Sequence, residues 1–530
     1  MAILKKAFVF ITVLAVIPLF CRVDVAERNA EASEIKTLRK IRVVIFPQPR
    51  SLLPYEGNNY VDGQITDIIF SNLIKANYLG NLAPELAESW EISPDHREFT
   101  FHIRKNVRFH NGRQLTVSDV VFTMKKLIEK AQDKFAEIHY IDGVEDFINK
   151  KTSQVRGIQK IDDFTVKIKL NKEFKYFLQF LSAEYTAILP AAFAGLSEAD
   201  FRKNPVGTGP FKLTRSETKM IGSRQFLVFK MERNRDYFEP MGNLDAIDFY
   251  STNTAIDTPT KEYFDILYIS NNEISELSGK PDFRIINSSF SIINFLILNP
   301  NENIQMQNQK IRQLVNCAIN REELVRKVFR RQAVPAHSIM PFGLLGHNPY
   351  YRQDYGRAEK IRAELPPGKI AFTIITVAKD ERQLVAEFVR RELAKFNVEA
   401  KVITIADQYE YFNNLIYRTK TSLMLGGIPD YPSSFHFLTH LVEKNGYFNV
   451  FKFAFPKLQA MINTLPSVDI ITETRMLAEI NAAFENDSIY IPLYYHSNFI
   501  AIRNRIKTIA FKYGDITDFA NLEVADEPVH

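Results

Sequence analysis

Two histidines of this 530-residue chain have the spacing of metal ligands. His436 and His440 are four positions apart in the segment HFLTH, so on a helix their rings would lie on one face. The segment lacks the glutamate that completes the zinc motif of a metalloprotease. We therefore expect the two histidines to be satisfied within the fold or exposed, and the sequence predicts no metal site.

Motifs for enzymatic chemistry are also missing from the sequence. The segment Gly207-Thr208-Gly209-Pro210 lacks the Gly-Lys-Ser/Thr ending of a phosphate-binding loop, and its proline removes a backbone N–H donor. Neither a G-x-S-x-G nucleophile elbow nor a paired Cys and His motif occurs. His102 and His110 lie in a predicted strand and the turn after it, where we expect scaffolding roles. The sequence predicts a protein that is not an enzyme and has no cofactor.

Two acidic residues in loops are candidates for ligand contact. Asp430 precedes Tyr431 in the loop GGIPDYP, and it has no obvious partner in the sequence. Such a carboxylate either stabilises a turn or contacts a ligand. Glu56 stands before Gly57 in PYEGNN, where turn chemistry alone favours an ordinary turn.

Composition excludes several classes of protein. Lys and Arg number 67 against 62 Asp and Glu, which leaves a net charge of +5 and no basic excess for nucleic-acid binding. The hydrophobic fraction of 46% and the charged fraction of 24% are those of a globular protein. At ~100–200 residues per domain, the length predicts two to four packed units. The two cysteines exclude a disulfide framework and a four-thiolate zinc site.

The N-terminus resembles an export signal. Two lysines precede an uncharged run over residues 7–20, which is shorter than the ~20 residues needed to cross a bilayer. We therefore interpret residues 1–33 as a leader. Cys21 is a lipidation candidate, although Phe20 stands where lipoprotein signals prefer a small residue, and cleavage after Ala32 is the alternative. The sequence predicts an exported protein, in the periplasm or on the outer face of the cytoplasmic membrane, attached only through its leader or a lipid.

Hydrophobic patterns along the chain predict an α/β protein with at least two lobes. Residues 40–46 and 98–109 have the pattern of strands, and residues 291–299 that of a strand buried on both faces. Residues 369–405 form a β-α-β unit, which implies a parallel sheet. Apolar residues at helical spacing predict helices over 65–74 and 309–330.

Four segments, in order, resemble the extracytoplasmic solute-binding proteins that serve peptide, nickel and related ABC importers. The four segments begin at residues 82, 205, 308 and 426. The first contains LAESW and FHNG, the second contains PVGTGPFKL and is followed by ERNRDYF, the third is NQKIRQLVNCAINREELVRKVF, and the fourth begins with GGIPDYP. The resemblance covers roughly residues 40 to 505. It implies a periplasmic-binding-protein-like α/β clamshell of two lobes with an extra domain inserted in the first lobe, closing around a ligand by a hinge movement.

The resemblance also implies domain boundaries and partners. Lobe I is expected over 34–57, 191–285 and 486–530, the extra domain over 58–190, and lobe II over 286–485. The chain would act as a monomer that captures short peptides for an ABC permease and ATPase. The alternatives are a non-peptide cargo, such as a metal chelate, haem or an oligosaccharide, and less readily a secreted hydrolase or a non-transport sensor.

Ligand contacts are implied for three residues of the two loops. In peptide-binding relatives an Asp at the position of Asp430 pairs with the α-ammonium of the ligand, which is a strong charge-assisted contact. Glu56 and Gly57 resemble a Glu-Gly pair that meets an extended peptide, whose backbone would bind as an added strand.

The aromatic surface of the cleft is expected to differ from that of the relatives. Tyr55 and Tyr431 are candidate aromatic walls. Peptide binders commonly carry Gly-Trp where this chain has Gly426 and Gly427, so we expect one wall to be absent and the pocket to be wider or differently filled. The strand before Asp430 holds no Arg, Lys or His that would anchor a ligand carboxylate.

Overall fold

The computed structural model describes residues 38–57, 60–132, 135–253, 256, 258–269, 271–287, 292–348, 355–378, 381–406, 411, 421–496 and 498–526. The predicted leader, with Cys21, lies outside these residues. Within the described ranges, no helix has both the length and the apolar character needed to cross a membrane. The two largest sheets have seven and six strands, and we call them the first and the second sheet.

The first sheet is built around the predicted strand near the start of the chain. That strand, Lys40–Ile45, lies at the centre and runs parallel to both of its neighbours. Its burial on both sides explains its apolar pattern and confirms the prediction for residues 40–46. The strands follow one another across the sheet as Phe283–Asn287, Phe499–Arg503, Ile266–Ile269, Lys40–Ile45, Ala246–Ser251, Arg224–Arg233 and Phe211–Ile221.

The second sheet contains the predicted β-α-β unit. Strand Ile370–Val377 pairs in parallel with Val398–Ile405, and helix Glu381–Ala394 connects them, which confirms that unit. Strand Tyr490–His496 also pairs within the second sheet. The predicted boundary between lobe II and the last part of lobe I, at 485/486, is therefore wrong. The chain returns to the first sheet only at Phe499. The order is Ala333–Pro335, Tyr490–His496, Ile292–Ile297, Ser422–Gly427, Ile370–Val377 and Val398–Ile405.

A four-stranded sheet, called the small sheet below, forms a separate layer within residues 87–169. Its strands are Ala87–Ile92, Glu98–Ile103, Thr165–Lys169 and Ile158–Lys160. Helix Val117–Ala131 packs beside it and begins with a capping box formed by Thr116 and Asp119. The chain's one tryptophan, Trp90, lies in this sheet opposite Phe101 and is partly buried.

Two predicted helices end earlier than the apolar pattern suggests. The first is Tyr60–Ile69, and Ile74 already begins a strand. The second is divided into Gln309–Ala318 and Arg321–Val328, because the Asn320 side chain accepts a bond from Glu323 N at 2.9 Å and starts a new helix. The other α-helices of the described residues are Val144–Ile148, Phe177–Phe180, Glu198–Lys203, Thr258–Lys261, Asn271–Leu277, Ile304–Gln307, Tyr355–Glu364, Ser434–Val442, Pro456–Thr464 and Ile470–Asp487. Two short strand pairs are also present, Ile74–Ala76 with Leu82–Pro84 and Ile506–Thr508 with Glu523–Val524.

The glycine-rich segment at 207–209 packs against the end of helix Tyr60–Ile69. Gly209 N donates to Ile69 O at 2.9 Å. A Cβ at position 207 would lie 1.8 Å from the same oxygen, so only glycine fits this close approach. The segment is therefore a packing element of the scaffold.

His110 is bound to this segment through both ring nitrogens. Gly207 N donates to Nδ1 at 3.3 Å, so Nε2 carries the proton and donates to Gly209 O at 3.0 Å. Protonation of Nδ1 would break the first of these bonds. Burial lowers the pKa of His110 to about 4.

The free energy of unfolding should therefore depend on pH through His110. Unfolded histidine has a pKa of about 6.5, so between about pH 6.5 and 4 the unfolded chain binds more protons than the folded one. We expect stability to fall by about 2 kcal/mol on acidification through this range and to fall less in His110→Asn, whose amide keeps a donor and an acceptor. Urea denaturation across the range measures this, with His102→Asn as the control. Equal pH dependence in His110→Asn and the wild type would contradict the assignment.

Candidate ligand-binding cleft

A cavity of about 580 Å³ lies between the parts of the molecule that are built on the first, the second and the small sheet. Its volume is within the ~300–1,000 Å³ range of small-molecule sites. The ionisable residues at its wall are Asp67, Lys75, Glu85, Glu184, Asp430, His436, His440 and Lys512. The aromatic residues are Phe135, Tyr185, Phe437, Tyr447, Phe448 and Tyr513.

Asp430 lies at this cavity, in the loop that follows strand Ser422–Gly427. Its side chain is 45% exposed, and its Oδ2 is 3.4 Å from His436 Nε2. Burial favours the neutral acid, but His436 opposes this and lowers the pKa of Asp430. Asp430 therefore presents a negative charge to the cavity.

Glu137, a buried acid of the unit that carries the small sheet, contacts His436 on the side of the ring away from Asp430. Nδ1 of His436 lies 3.0 Å from Glu137 Oε1, and the Tyr431 hydroxyl donates to the same oxygen. Burial alone would lower the pKa of His436, but the charges of Glu137 and Asp430 raise it to about 9. In the ion-free protein His436 is thus a cation between two carboxylates.

His440 is the neutral member of the histidine pair. Its ring centroid is 4.3 Å from that of His436, on the same face of helix Ser434–Val442. Burial, together with the charge on His436, lowers the pKa of His440 to about 4. Of the two ring nitrogens of His436, only Nδ1 has a hydrogen-bond partner among the described residues, so the structure does not satisfy His436 fully as the sequence predicted. It places donor atoms of Asp430, His436 and His440 within 4.8 Å of one another.

Tyr55 and Tyr431 do not form walls of the cavity, so that prediction is wrong. Both side chains are buried, with exposures of 2% and 0%. Tyr431 packs on His436 with 4.2 Å between the ring centroids, and its hydroxyl is used by Glu137. Tyr447, which is 44% exposed, lines the cavity and was not among the predicted residues; its place next to the Asn-Gly turn at 445–446 was the available signal.

An aromatic ring from another loop fills the space at Gly427. A Cβ at this position would lie 2.9 Å from Cζ of Phe448 and 3.9 Å from the ring of Tyr447. At Gly426 the Asn294 Oδ1 would lie 2.3 Å from a Cβ. Of the two alternatives expected from the glycines, a wider or a differently filled pocket, the position of Phe448 agrees with the second, because its ring supplies aromatic surface there.

Glu56 and Gly57 have different surroundings. The Glu56 carboxylate accepts a bond from Ser51 Oγ at 2.6 Å and forms an ion pair with Arg202. These contacts hold the turn Pro54–Glu56, and the residue is not part of the cavity wall. Gly57 does line the cavity.

The cavity wall carries four acids, two lysines and the two histidines. Asp67, Glu85, Glu184 and Asp430 face Lys75 and Lys512, and these lysines pair with Glu239 at 2.6 Å and Asp67 at 2.7 Å. Burial raises the pKa of Glu85 to about 7, and burial followed by the charge of Asp430 raises the pKa of Glu184. Both shifts favour the uncharged acid, so Asp430 rather than these two glutamates presents negative charge to a ligand.

Comparisons with known proteins agree with this architecture. The family model for bacterial extracellular solute-binding proteins, family 5, middle region, matches residues 81–449. Heme-binding protein A of Haemophilus influenzae is 23% identical over 81% of both chains, and the dipeptide-binding protein of Escherichia coli is 24% identical over 61% of this chain and 63% of its own.

The two-lobed fold is confirmed by a solved structure, the ABC transporter-associated periplasmic binding protein DppA from Helicobacter pylori in complex with the peptide STSA. It aligns with 95% of this chain and 100% of its own, with a TM-score of 0.76 and 20% identity. The match to the family model spans more than half of the chain. This protein therefore belongs to family 5 of the bacterial extracellular solute-binding proteins.

Proposed function

We propose that the protein is the substrate-binding subunit of an ABC importer and captures short peptides in its cleft. The observation that carries this proposal is the Asp430 carboxylate, which is charged, accessible from the cavity and held in place by His436. An α-ammonium group is the complementary partner, and a charge-assisted contact of this kind is strong in a site that excludes water.

The rest of the wall suits a short ligand of variable sequence. The cavity has the volume of a small-molecule site, and the aromatic side chains around it provide contact area that does not depend on one particular ligand side chain. Relatives that bind peptides, by their names, support the same class of ligand.

The proposal includes partners and a location. The protein would work outside the cytoplasmic membrane as a monomer, attached through Cys21 or released after its leader is cleaved. A permease and an ATPase would take delivery of the peptide. The protein's own step is binding and closure, without a catalytic reaction.

Haem is the second candidate cargo, because a relative is named heme-binding protein A and two histidines lie at the cavity wall. Thermal denaturation of the mature protein with a dipeptide and tripeptide mixture, with haemin or with oligosaccharides separates the candidates. A ligand that binds only the folded state at about 100 times its Kd stabilises that state by about 2.7 kcal/mol. We expect stabilisation by peptides. Stabilisation by haemin or a sugar without any effect of peptides would overturn the peptide assignment.

A further inference from the structure

Three side chains at the cavity wall converge in the manner of metal ligands. His436 and His440 come from one helix face, and Asp430 comes from the loop that precedes this helix. Oδ2 of Asp430 is 3.4 Å from Nε2 of His436, and donor atoms of all three residues lie within 4.8 Å of one another. Ligand atoms about 2.1 Å from a tetrahedral ion are about 3.4 Å apart, so small side-chain rotations would complete the set.

The ring of His436 is already oriented for an ion. Glu137 contacts Nδ1 at 3.0 Å, which leaves Nε2 directed towards Asp430 and His440. A histidine that ligates a metal commonly donates its second nitrogen to a carboxylate in this way, because the contact fixes both the tautomer and the ring orientation.

Nε2 of His436 lacks a hydrogen bond. His436 is 1% exposed, and Nε2 has no hydrogen-bond partner of acceptable geometry among the described residues, although the Asp430 carboxylate is close. A buried polar atom without a hydrogen bond is costly unless something else occupies the position it faces. An ion between the three side chains would occupy that position.

We propose that Asp430, His436 and His440 bind a divalent transition-metal ion at the wall of the cleft. Two imidazoles and one carboxylate suit Zn²⁺, Ni²⁺ or Cu²⁺ rather than Ca²⁺ or Mg²⁺, which prefer oxygen ligands. Asp430 is 45% exposed and His440 is only half-buried, so the ion would be reached from the cavity. Three protein ligands leave a coordination position for an exchangeable group.

A metal ion at this site would select ligands that can themselves bind the metal. This part of the proposal rests on the proposed function. When the ion is bound, Nε2 of His436 and the ligand's amine have each released a proton to the solvent, the Asp430 carboxylate contacts the metal, and the amine is a neutral donor to the ion. A second donor, such as a neighbouring carbonyl or carboxylate oxygen, would strengthen the complex. Amino acids and the free N-termini of short peptides offer both donors.

Calorimetric titration of tag-free, EDTA-treated and dialysed protein with ZnCl₂ tests the site without any organic ligand. We expect one Zn²⁺ per chain, and at least about tenfold weaker binding in both His440→Ala and Asp430→Asn. Glu137→Gln, which affects the ion only through His436, should weaken binding about 10–100-fold. His102→Ala is the control, because His102 lies on the small sheet 3.6 Å from Glu91. Co²⁺ absorption spectra, compared between His440→Ala and His102→Ala, report directly on ligation.

Two results would overturn the metal site: wild-type protein that shows no saturable Zn²⁺ binding, or His440→Ala and Asp430→Asn that bind Zn²⁺ as tightly as His102→Ala. Circular dichroism verifies that each variant is folded, and the exposed position of Asp430 keeps one variant informative if His440→Ala unfolds. Peptide binding measured in EDTA tests the proposed function separately. Peptides that bind the metal-free protein in the absence of Zn²⁺ binding would remove only the metal site, whereas Zn²⁺ binding without any peptide binding would remove only the peptide assignment.

Discussion

Asp430→Asn is expected to weaken the binding of free-amine dipeptides by about 100-fold in metal-free buffer. Removing one member of a desolvated charge pair costs about 2–5 kcal/mol, and each 1.4 kcal/mol is a factor of ten in Kd. Asparagine keeps the shape of the side chain and loses only its charge. Calorimetry with a free-amine dipeptide and its N-acetylated form measures the effect.

Two controls separate this contact from general damage to the cleft. N-acetylated peptides lack the ammonium group, so Asp430→Asn should change their affinity little. Glu56→Gln alters a nearby acid that is engaged by Ser51 and Arg202, and it should leave the affinity of both peptides nearly unchanged. An equal loss for the two peptides in Asp430→Asn would mean that Asp430 does not contact the ammonium.

Glu137→Gln is expected to lower the free energy of unfolding by about 3 kcal/mol, the largest effect on stability that we predict. Glu137 is 1% exposed, and it bonds to the His436 ring and to the Tyr431 hydroxyl. Removing its charge leaves the buried His436 without its main counter-charge, which is costly in a low-dielectric site. Urea denaturation in metal-free buffer measures the change.

The chain contains a matched control for this experiment. Glu145 Oε1 lies 2.6 Å from Nδ1 of His139 in the same unit, but the side chains of Glu145 and His139 are 63% and 42% exposed. Glu145→Gln should therefore leave the stability nearly unchanged, because exposed pairs are screened by water. Similar losses in both variants would show that burial is not the reason for the effect at Glu137.

Local patterns were sufficient for several of the strands. Residues 40–46 and 369–405 were predicted correctly because their apolar spacing reflects burial between layers, which depends on each segment alone. The predictions of helix ends were less accurate, because a helix end depends on individual contacts. The helix Tyr60–Ile69 ends where Gly209 from a distant loop donates to the Ile69 carbonyl, and no local pattern contains that information.

The site was predictable only in part. Asp430 was found because its loop resembles the ligand loop of peptide-binding relatives and because no partner for it was obvious in the sequence. The structure does place it at the cavity, where His436, six positions later, is its partner. Glu137 gave no signal, since it is 299 positions from His436 and its surroundings resemble those of other buried acids. The position of the Phe448 ring against Gly427 could not be predicted either. One loop lacks an aromatic side chain and another loop supplies it, and the sequence does not show that the two loops are in contact.

The position of the one tryptophan has a practical consequence for spectroscopy. Trp90 lies in the small sheet and is absent from the cavity wall, whereas Tyr185, Tyr447 and Tyr513 are part of that wall. Tryptophan emission will therefore report whether the small sheet is folded and will be largely insensitive to an occupied cleft. Tyrosine emission contains the signal from the cleft, so a single fluorescence sample monitors the integrity of the protein and the arrival of its cargo through two different chromophores.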